Sequence, residues 1–169
     1  MITFKKMRKM DLDQVLAWRL NPRIAKNMLT QIEDDSEKQM QWFLTIDKDE
    51  TKRYWIINYN DTPIGVVNLA EIDQRNKKCT IGYYIGNEEY LSLGGLILPF
   101  IYNHVFLELD LDMIYGVLYE HNQKMLKLHQ FHGYRIIENP NNTPLIQVEL
   151  HKEDWIKKPR NLKAIAEFE

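Results

Sequence analysis

Between Arg53 and Ile85 the chain runs through three segments of strand-forming residues, RYWIINY, IGVVNLAEI and CTIGYYI, with only short polar stretches between them. β-Branched and aromatic side chains suit a pleated, half-buried surface. Asn60-Asp61 lies between the first two segments, and such a pair tolerates the backbone of a tight hairpin turn. Asp73 to Lys78 forms a second polar turn. Strands joined this closely pair antiparallel, because a parallel pairing needs a crossover of about a dozen residues or more. The centre of the chain is therefore an antiparallel meander, and everything else must fold around it.

Upstream, Ile2 and Phe4 alternate with polar residues and read as a strand. Asp11 is placed to cap a helix carrying Leu12, Val15, Leu16 and Arg19. Pro22 ends or bends it, Ile24 to Leu29 is a short helical or irregular piece, and Ser36 opens another helix with Met40, Phe43 and Leu44. Downstream, Leu93 to Leu109 (LGGLILPFIYNHVFLEL) is the most apolar stretch. It falls short of the about 20 apolar residues of a spanning helix. Pro99, Asn103 and His104 interrupt it, so it reads as a buried core helix. Met113 to Tyr119 is another strand. Asn122 caps a helix through Met125, Leu126, Leu128 and Phe131, which Gly133 ends. Tyr134 to Ile137 and Leu145 to Leu150 are the last strands, with a turn or loop, ENPNNTP, between them. The expected fold is α/β (α+β): a mixed, mostly antiparallel twisted sheet of about seven strands flanked by about four helices. One domain covers 1–155, and a polar tail, 156–169, follows Trp155.

With 169 residues the chain has room for one proper core without a disulfide or metal staple. A net charge of -2 excludes a strongly basic nucleic-acid binder. The lone Cys79 excludes an internal disulfide and a multi-cysteine zinc site. The N-terminus, MITFKKMRKM, lacks the apolar run of a signal peptide, so the expected location is the cytoplasm, with no membrane contact. His121, His129 and His132 lack a carboxylate at metal-ligand spacing, so no metal is expected. Nucleophile-elbow, Rossmann and Walker motifs are absent.

Three local features go further. Trp18-Arg19 is followed by Pro22, Ile24 and Met28. A strand ends in a glycine-bearing loop that opens the apolar helix, YYIGNEEYLSLGGLILPFIYNHVF. Residues 121–135 read HNQKMLKLHQFHGYR. Together they resemble the GNAT superfamily of acetyl-CoA-dependent N-acetyltransferases, over about the whole chain. Within it the chain looks most similar to the amino-sugar-nucleotide N-acetyltransferases of nonulosonic (pseudaminic) acid synthesis. It is also similar to the ribosomal-protein N-terminal acetyltransferases. Two departures stand out. The pyrophosphate loop has Tyr90, Leu93 and Gly95 in register, with Gly94 between, and lacks the family's leading polar residue and first glycine. His129 stands where a tyrosine commonly protonates the leaving thiolate.

The resemblance implies acetyl-CoA as co-substrate and a small-molecule amine as acceptor. Backbone amides of Leu93, Gly94, Gly95 and Leu96, at a helix N-terminus, suit a pyrophosphate. By resemblance, Tyr84, Ile85 and Gly86 flank the pantetheine arm, and Arg19 and Met28 border the acceptor. Arg19 equally suits a structural ion pair. Glu71, near the end of IGVVNLAEI, is the candidate base, or an exposed strand carboxylate; Glu120 is the alternative. Asn122 and His129, seven residues apart, share a helical face. An imidazolium of ordinary pKa, about 6.5, gives its proton to a thiolate downhill, so His129 as the acid implies transfer that falls as pH rises. Apolar strand edges near the C-terminus suit a homodimer. The rival expectations are a protein N-terminal acetyltransferase, or a GNAT-shaped acetyl-CoA-binding protein with little catalysis.

Overall fold

The computed structural model describes residues 1–137 and 143–169. Its strands are β1 (Ile2–Lys6), β2 (Arg53–Tyr59), β3 (Thr62–Asp73), β4 (Lys78–Ile85), β5 (Met113–Tyr119), β6 (Arg135–Ile137) and β7 (Leu145–His151). They form one sheet in the order β1-β2-β3-β4-β5-β7-β6. β1 to β4 pair antiparallel in sequence, as the short turns of β2–β3 and β3–β4 require for those two pairs. Asn60 and Asp61 take the left-handed backbone of the first turn, with φ of 46° and 64°. β4 and β5 pair parallel, and the long connection between them is the crossover such a pairing needs.

That crossover carries α4 (Gly94–Asn103), preceded by a 3-10 turn, Glu88–Leu93, and continued by a π-helical turn, His104–Glu108. The run Glu88–Glu108 is long and apolar enough to cross a membrane. Here it is the core helix expected from its interruptions. Ile97, Leu98, Ile101 and Tyr102 are buried against Ile57, Val67 and Leu69 of the sheet. Each such aliphatic side chain contributes about 1.5–3 kcal/mol on burial. α5 (Gln123–His132) lines up beside α4 through a contact at Gly95. A second core lies on the opposite face. There α1 (Leu12–Leu20), α2 (Pro22–Ala25) and α3 (Ser36–Ile46) place Val15, Trp18, Ile24, Phe43 and Ile46 over Ile56 and Val66. Alternation along β2 feeds both cores: Trp55 and Ile57 enter one, Ile56 the other.

Several local expectations change. Asp11 does not cap α1; its carboxylate accepts from the Arg8 amide 2.8 Å away and closes a 3-10 turn, Lys9–Asp11. α3 is capped by Asp35, which accepts from the amides of Glu37 and Lys38, both at 3.0 Å. Six α-helices are present among the described residues, because α2 and a short α6 (Lys152–Ile156) join the four longer ones. Residues 156–169 do not trail away. Phe168 stacks on Phe4 with ring centroids 4.1 Å apart, and Glu167 and Glu169 bond the backbone of Phe4. Most of the expected ENPNNTP turn lies outside the described residues.

Candidate functional site

β4 and β5 pair only over Lys78–Thr80 and Met113–Tyr115. Both strands run on, β4 to Ile85 and β5 to Tyr119, so a wedge-shaped gap opens in the middle of the sheet. The amide of Gly86 donates to Ile64 of β3 at 2.8 Å. Strand backbone alternates, so the N–H and C=O of Tyr83 and the N–H of Ile85 face the gap instead, while the Ile85 carbonyl is taken by Arg23. An extended ligand chain laid there finds a strand edge with free partners.

The N-terminus of α4 closes one side of the gap. Leu93 is its N-cap and supplies no side-chain acceptor. A methyl group added at Gly94 would touch Ile85 and Tyr83 at 3.6 Å, and one at Gly95 would touch Leu128 at 3.6 Å. The helix start is thus seated in ordinary contact between β4 and α5. The Tyr83 hydroxyl secures it by donating to the Gly94 carbonyl at 3.1 Å. Amides at such a helix start, with the dipole behind them, suit phosphate oxygens. The missing first glycine of the loop is therefore not a missing helix start.

Across the gap, Asn122 follows β5 and caps α5, accepting from the Met125 amide at 3.4 Å. His129 lies two turns further along α5. Its ring stacks on Tyr134 with centroids 4.2 Å apart, and its Nδ1 is buried with no hydrogen-bond partner among the described residues. Burial, and then the neighbouring His132, pull its pKa down to about 4. The expectation of an imidazolium acid with an ordinary pKa is corrected here: at neutral pH the ring is uncharged.

On the other face of β4 a second space opens beneath α1 and α3, about 440 Å³ in volume. Tyr54, Val66, Asn68 and Tyr84 make its floor, and Arg19, Trp42, Glu33, Asp35 and Lys38 its walls. Trp42 meets Tyr54 edge-on with centroids 5.2 Å apart. Glu33 pairs with Lys38 at 2.6 Å. Arg19 is anchored through one nitrogen, Nη2, to the Thr30 carbonyl at 2.7 Å. Its Nε and the Tyr84 hydroxyl are both buried without a partner. Burial holds the phenols of Tyr84 and Tyr54 above their usual range, against the pull of the nearby Arg19 charge.

The structure thus brings Gly94, at the start of α4, against Ile85 and Tyr83 at the end of β4, and Arg19 and Tyr84 around the adjoining space. It does not bring two others there. Met28 packs against the second core and is not in the wall of the Arg19 space. Glu71 sits in a bulge at the far end of β3, with φ of 49°, and accepts from the Tyr115 hydroxyl. Its end of β3 pairs with Thr80, about 17 Å along β4 from Ile85 at the usual strand rise. As general base at the gap it is therefore corrected. Glu120 is exposed and bonds through its backbone to Pro144 and Gln123.

Sequence reading missed Arg23, whose guanidinium reaches the Ile85 and Gly86 carbonyls. An arginine next to Asn21-Pro22 signals only a helix start. It also missed why residue 86 is glycine: a Cβ there would lie 2.1 Å from the Trp18 ring.

The acetyltransferase (GNAT) domain family matches residues 2–135. The acetyltransferase PseH of Campylobacter jejuni (strain 81-176) is 23% identical over 135 residues, covering 80% of this chain and 83% of the relative. Among solved structures, a spermidine N-acetyltransferase from Vibrio cholerae in complex with CoA and spermine superposes with a TM-score of 0.82 at 16% identity. The match covers 92% of this chain and 98% of that one. Campylobacter jejuni PseH in complex with acetyl coenzyme A gives 0.71 at 19% identity, covering 89% and 99%.

Proposed function

The chain belongs to the GNAT acetyltransferase family, and from that premise we propose that it acetylates the primary amine of an oxygen-rich small molecule, with an amino-sugar nucleotide as the first choice. The observation that carries this reading is the pair of buried donors without partners, Arg19 Nε and Tyr84 Oη, in the wall of one cavity. A buried donor left unpaired costs about 1–3 kcal/mol, so the cavity is built for a ligand with oxygen acceptors. A phosphate, carboxylate or sugar hydroxyl meets that need. The PseH relatives point the same way.

Acetyl-CoA fits the other half of the site. The first turn of α4, Leu93 to Leu96, holds its pyrophosphate through amides, and Asn122 stands at the far lip of the gap. The pantetheine arm lies along the open edge of β4 at Tyr83 and Ile85. When bound there it supplies an acetyl thioester, which the amine attacks directly while the C–S bond breaks. The amine arrives from the Arg19 cavity, and its proton leaves to solvent at the cavity mouth, where Glu33 and Asp35 are the lining carboxylates. His129 is neutral and stabilises the departing sulfur as a hydrogen-bond donor, so the rate does not fall across pH 6–8 on its account.

One observation favours a second reading. The Trp42–Tyr54 pair beside Glu33 and Asp35 suits an ammonium group, through the ring faces and the carboxylates, and a polyamine has several. Thiol release from acetyl-CoA, measured with amino-sugar nucleotides, spermidine and a peptide amine as acceptors, separates the cases. Turnover with the nucleotide sugars upholds the proposal, and turnover with spermidine alone replaces it. Binding of acetyl-CoA without release to any amine makes the chain a binding protein.

A further inference from the structure

Arg23 leaves α2 and forks onto the end of β4. Its Nη2 donates to the carbonyl oxygens of Ile85 and Gly86, 3.1 Å away in each case. Its Nε lies 3.7 Å from a carboxylate oxygen of Glu88, at the start of the turn that leads into α4. The guanidinium therefore touches the strand end and the loop that together frame the gap. Bonds from a charged donor are roughly twice as strong as neutral ones. Trp18 reinforces the same junction from α1, since its ring covers Gly86 so closely that no side chain fits. Arg19, the next residue, hangs into the acceptor cavity. One short helical segment thus grips the donor strand with Trp18 and Arg23 and faces the acceptor with Arg19.

We propose that Arg23 is a positioning residue for acetyl transfer: it fixes the Ile85–Gly86 main chain against which the acyl end of acetyl-CoA lies, and locks that main chain to the segment carrying Arg19. The inference rests on the reading of the gap as the acetyl-CoA site. Direct transfer needs the reacting atoms within about 3–3.5 Å, and a misplacement of about 1 Å costs on the order of a hundredfold in rate. The β4 end is the last turn of backbone before the cofactor loop, and Arg23 is the side chain bonded to both of its carbonyls. A lysine keeps the charge but cannot reproduce the planar fork. The phosphates of the cofactor sit at the start of α4, which lies beside the Ile85 side chain, whereas Arg23 holds the Ile85 and Gly86 carbonyls. Arg23 therefore acts through the strand main chain and not by a contact with the phosphates.

Calorimetric titration of CoA and of acetyl-CoA into the parent, Arg23→Ala, Arg23→Lys and Glu88→Gln separates these contributions. The expected result is a loss of about tenfold in acetyl-CoA affinity for Arg23→Ala, with CoA affinity kept within about twofold. Arg23→Lys loses less, and again only for acetyl-CoA. Glu88→Gln, which leaves the fork in place, matches the parent. Equal affinities in Arg23→Ala and the parent, or equal losses for both ligands, overturn the proposal; the second outcome is what general loosening of the fold would give. The same loss in Glu88→Gln also overturns it, because the ion pair would then be the cause. If Arg23→Ala does not fold, Arg23→Lys decides by the same ratio of the two affinities. If the parent binds neither ligand, the reading of the gap fails first and takes this inference with it.

Discussion

The sheet has an open end and a closed end, and a cavity lies at each. The closed end holds the larger space, about 1430 Å³, under β2, β3 and the C-terminal segment. The open end holds the smaller one, about 440 Å³, next to the gap between β4 and β5. In the large cavity many polar groups answer one another. Lys6 pairs with Asp47 and Lys52 with Asp49, Asn76 satisfies Asp73, and Tyr115 donates to Glu71. Two residues lining the small cavity, Arg19 and Tyr84, carry buried donors without a partner among the described residues. Volume alone would choose the closed end. Two such unpartnered atoms belong to residues lining the small cavity and one, His104 Nε2, to a residue lining the large cavity, which supports the proposed chemistry at the open end.

The two ends also differ in how they hold histidine, and acid reveals it. His129, at the open end, has its pKa pulled down to about 4 from an ordinary value near 6.5. Between those values the unfolded chain binds a proton that the folded chain refuses. The stability contributed is full above pH 6.5 and is lost as pH falls through 4. At about 1.36 kcal/mol per unit it amounts to about 3 kcal/mol at most. His104, at the closed end, is also lowered by burial, but its Nδ1 has Glu108 2.7 Å away, which opposes the shift. Thermal midpoints measured from pH 7 to pH 4 should fall steeply in the parent. His129→Phe should flatten that slope more than His104→Phe does. Equal flattening would erase the distinction between the ends.

Glycines on the two lips of the gap give the next test. At Gly86 a Cβ would sit 2.1 Å from the buried Trp18 ring, whereas at Gly116 nothing lies within 4 Å. Gly86→Ala should cost about 1–3 kcal/mol by overpacking, a drop of several degrees for a chain of this size. Gly116→Ala should stay within about 0.5 kcal/mol. Thermal melts compare them directly, and a Gly86 variant as stable as the Gly116 variant would mean that Trp18 does not grip the strand end.

Arg19→Met tests the acceptor side alone. It keeps the length of the side chain and removes the Nε donor. The KM for an amine acceptor should rise about tenfold, while acetyl-CoA affinity stays within twofold. A change confined to acetyl-CoA would move Arg19 to the donor side.

These contrasts follow how much of the molecule was legible in the sequence. The turn at Asn60-Asp61, the Asn122 cap and the Gly133 stop are local chemistry, and each appears as expected. The core role of the 93–109 run follows from its interruptions. The resemblance at 121–135 located the α5 lip of the gap. Glu71 failed for a reason that needs the whole sheet: β3 runs antiparallel to β4, so the end of IGVVNLAEI meets the start of β4, and only the other end parts from β5. The pKa of His129 was illegible because burial is a tertiary property. Arg23 was invisible because its partners, 62 and 63 residues away, are carbonyls, which every residue has.

The closed end should show the smallest effect, and that makes it a sharp control. Glu71→Gln keeps an oxygen that can accept from the Tyr115 hydroxyl, so the bulge at φ 49° retains its partner. The thermal midpoint should move by roughly 2 °C or less. Burial, followed by the hydrogen bond and charge of Glu71, pushes the Tyr115 phenol up to about 12. With the charge gone, the phenol should titrate lower, as ultraviolet absorbance can follow. Acetyl transfer should stay within twofold of the parent, because nothing that titrates there touches the gap. A tenfold loss of transfer accompanying the Tyr115 shift would mean that the two ends are coupled, and would return the general base to Glu71.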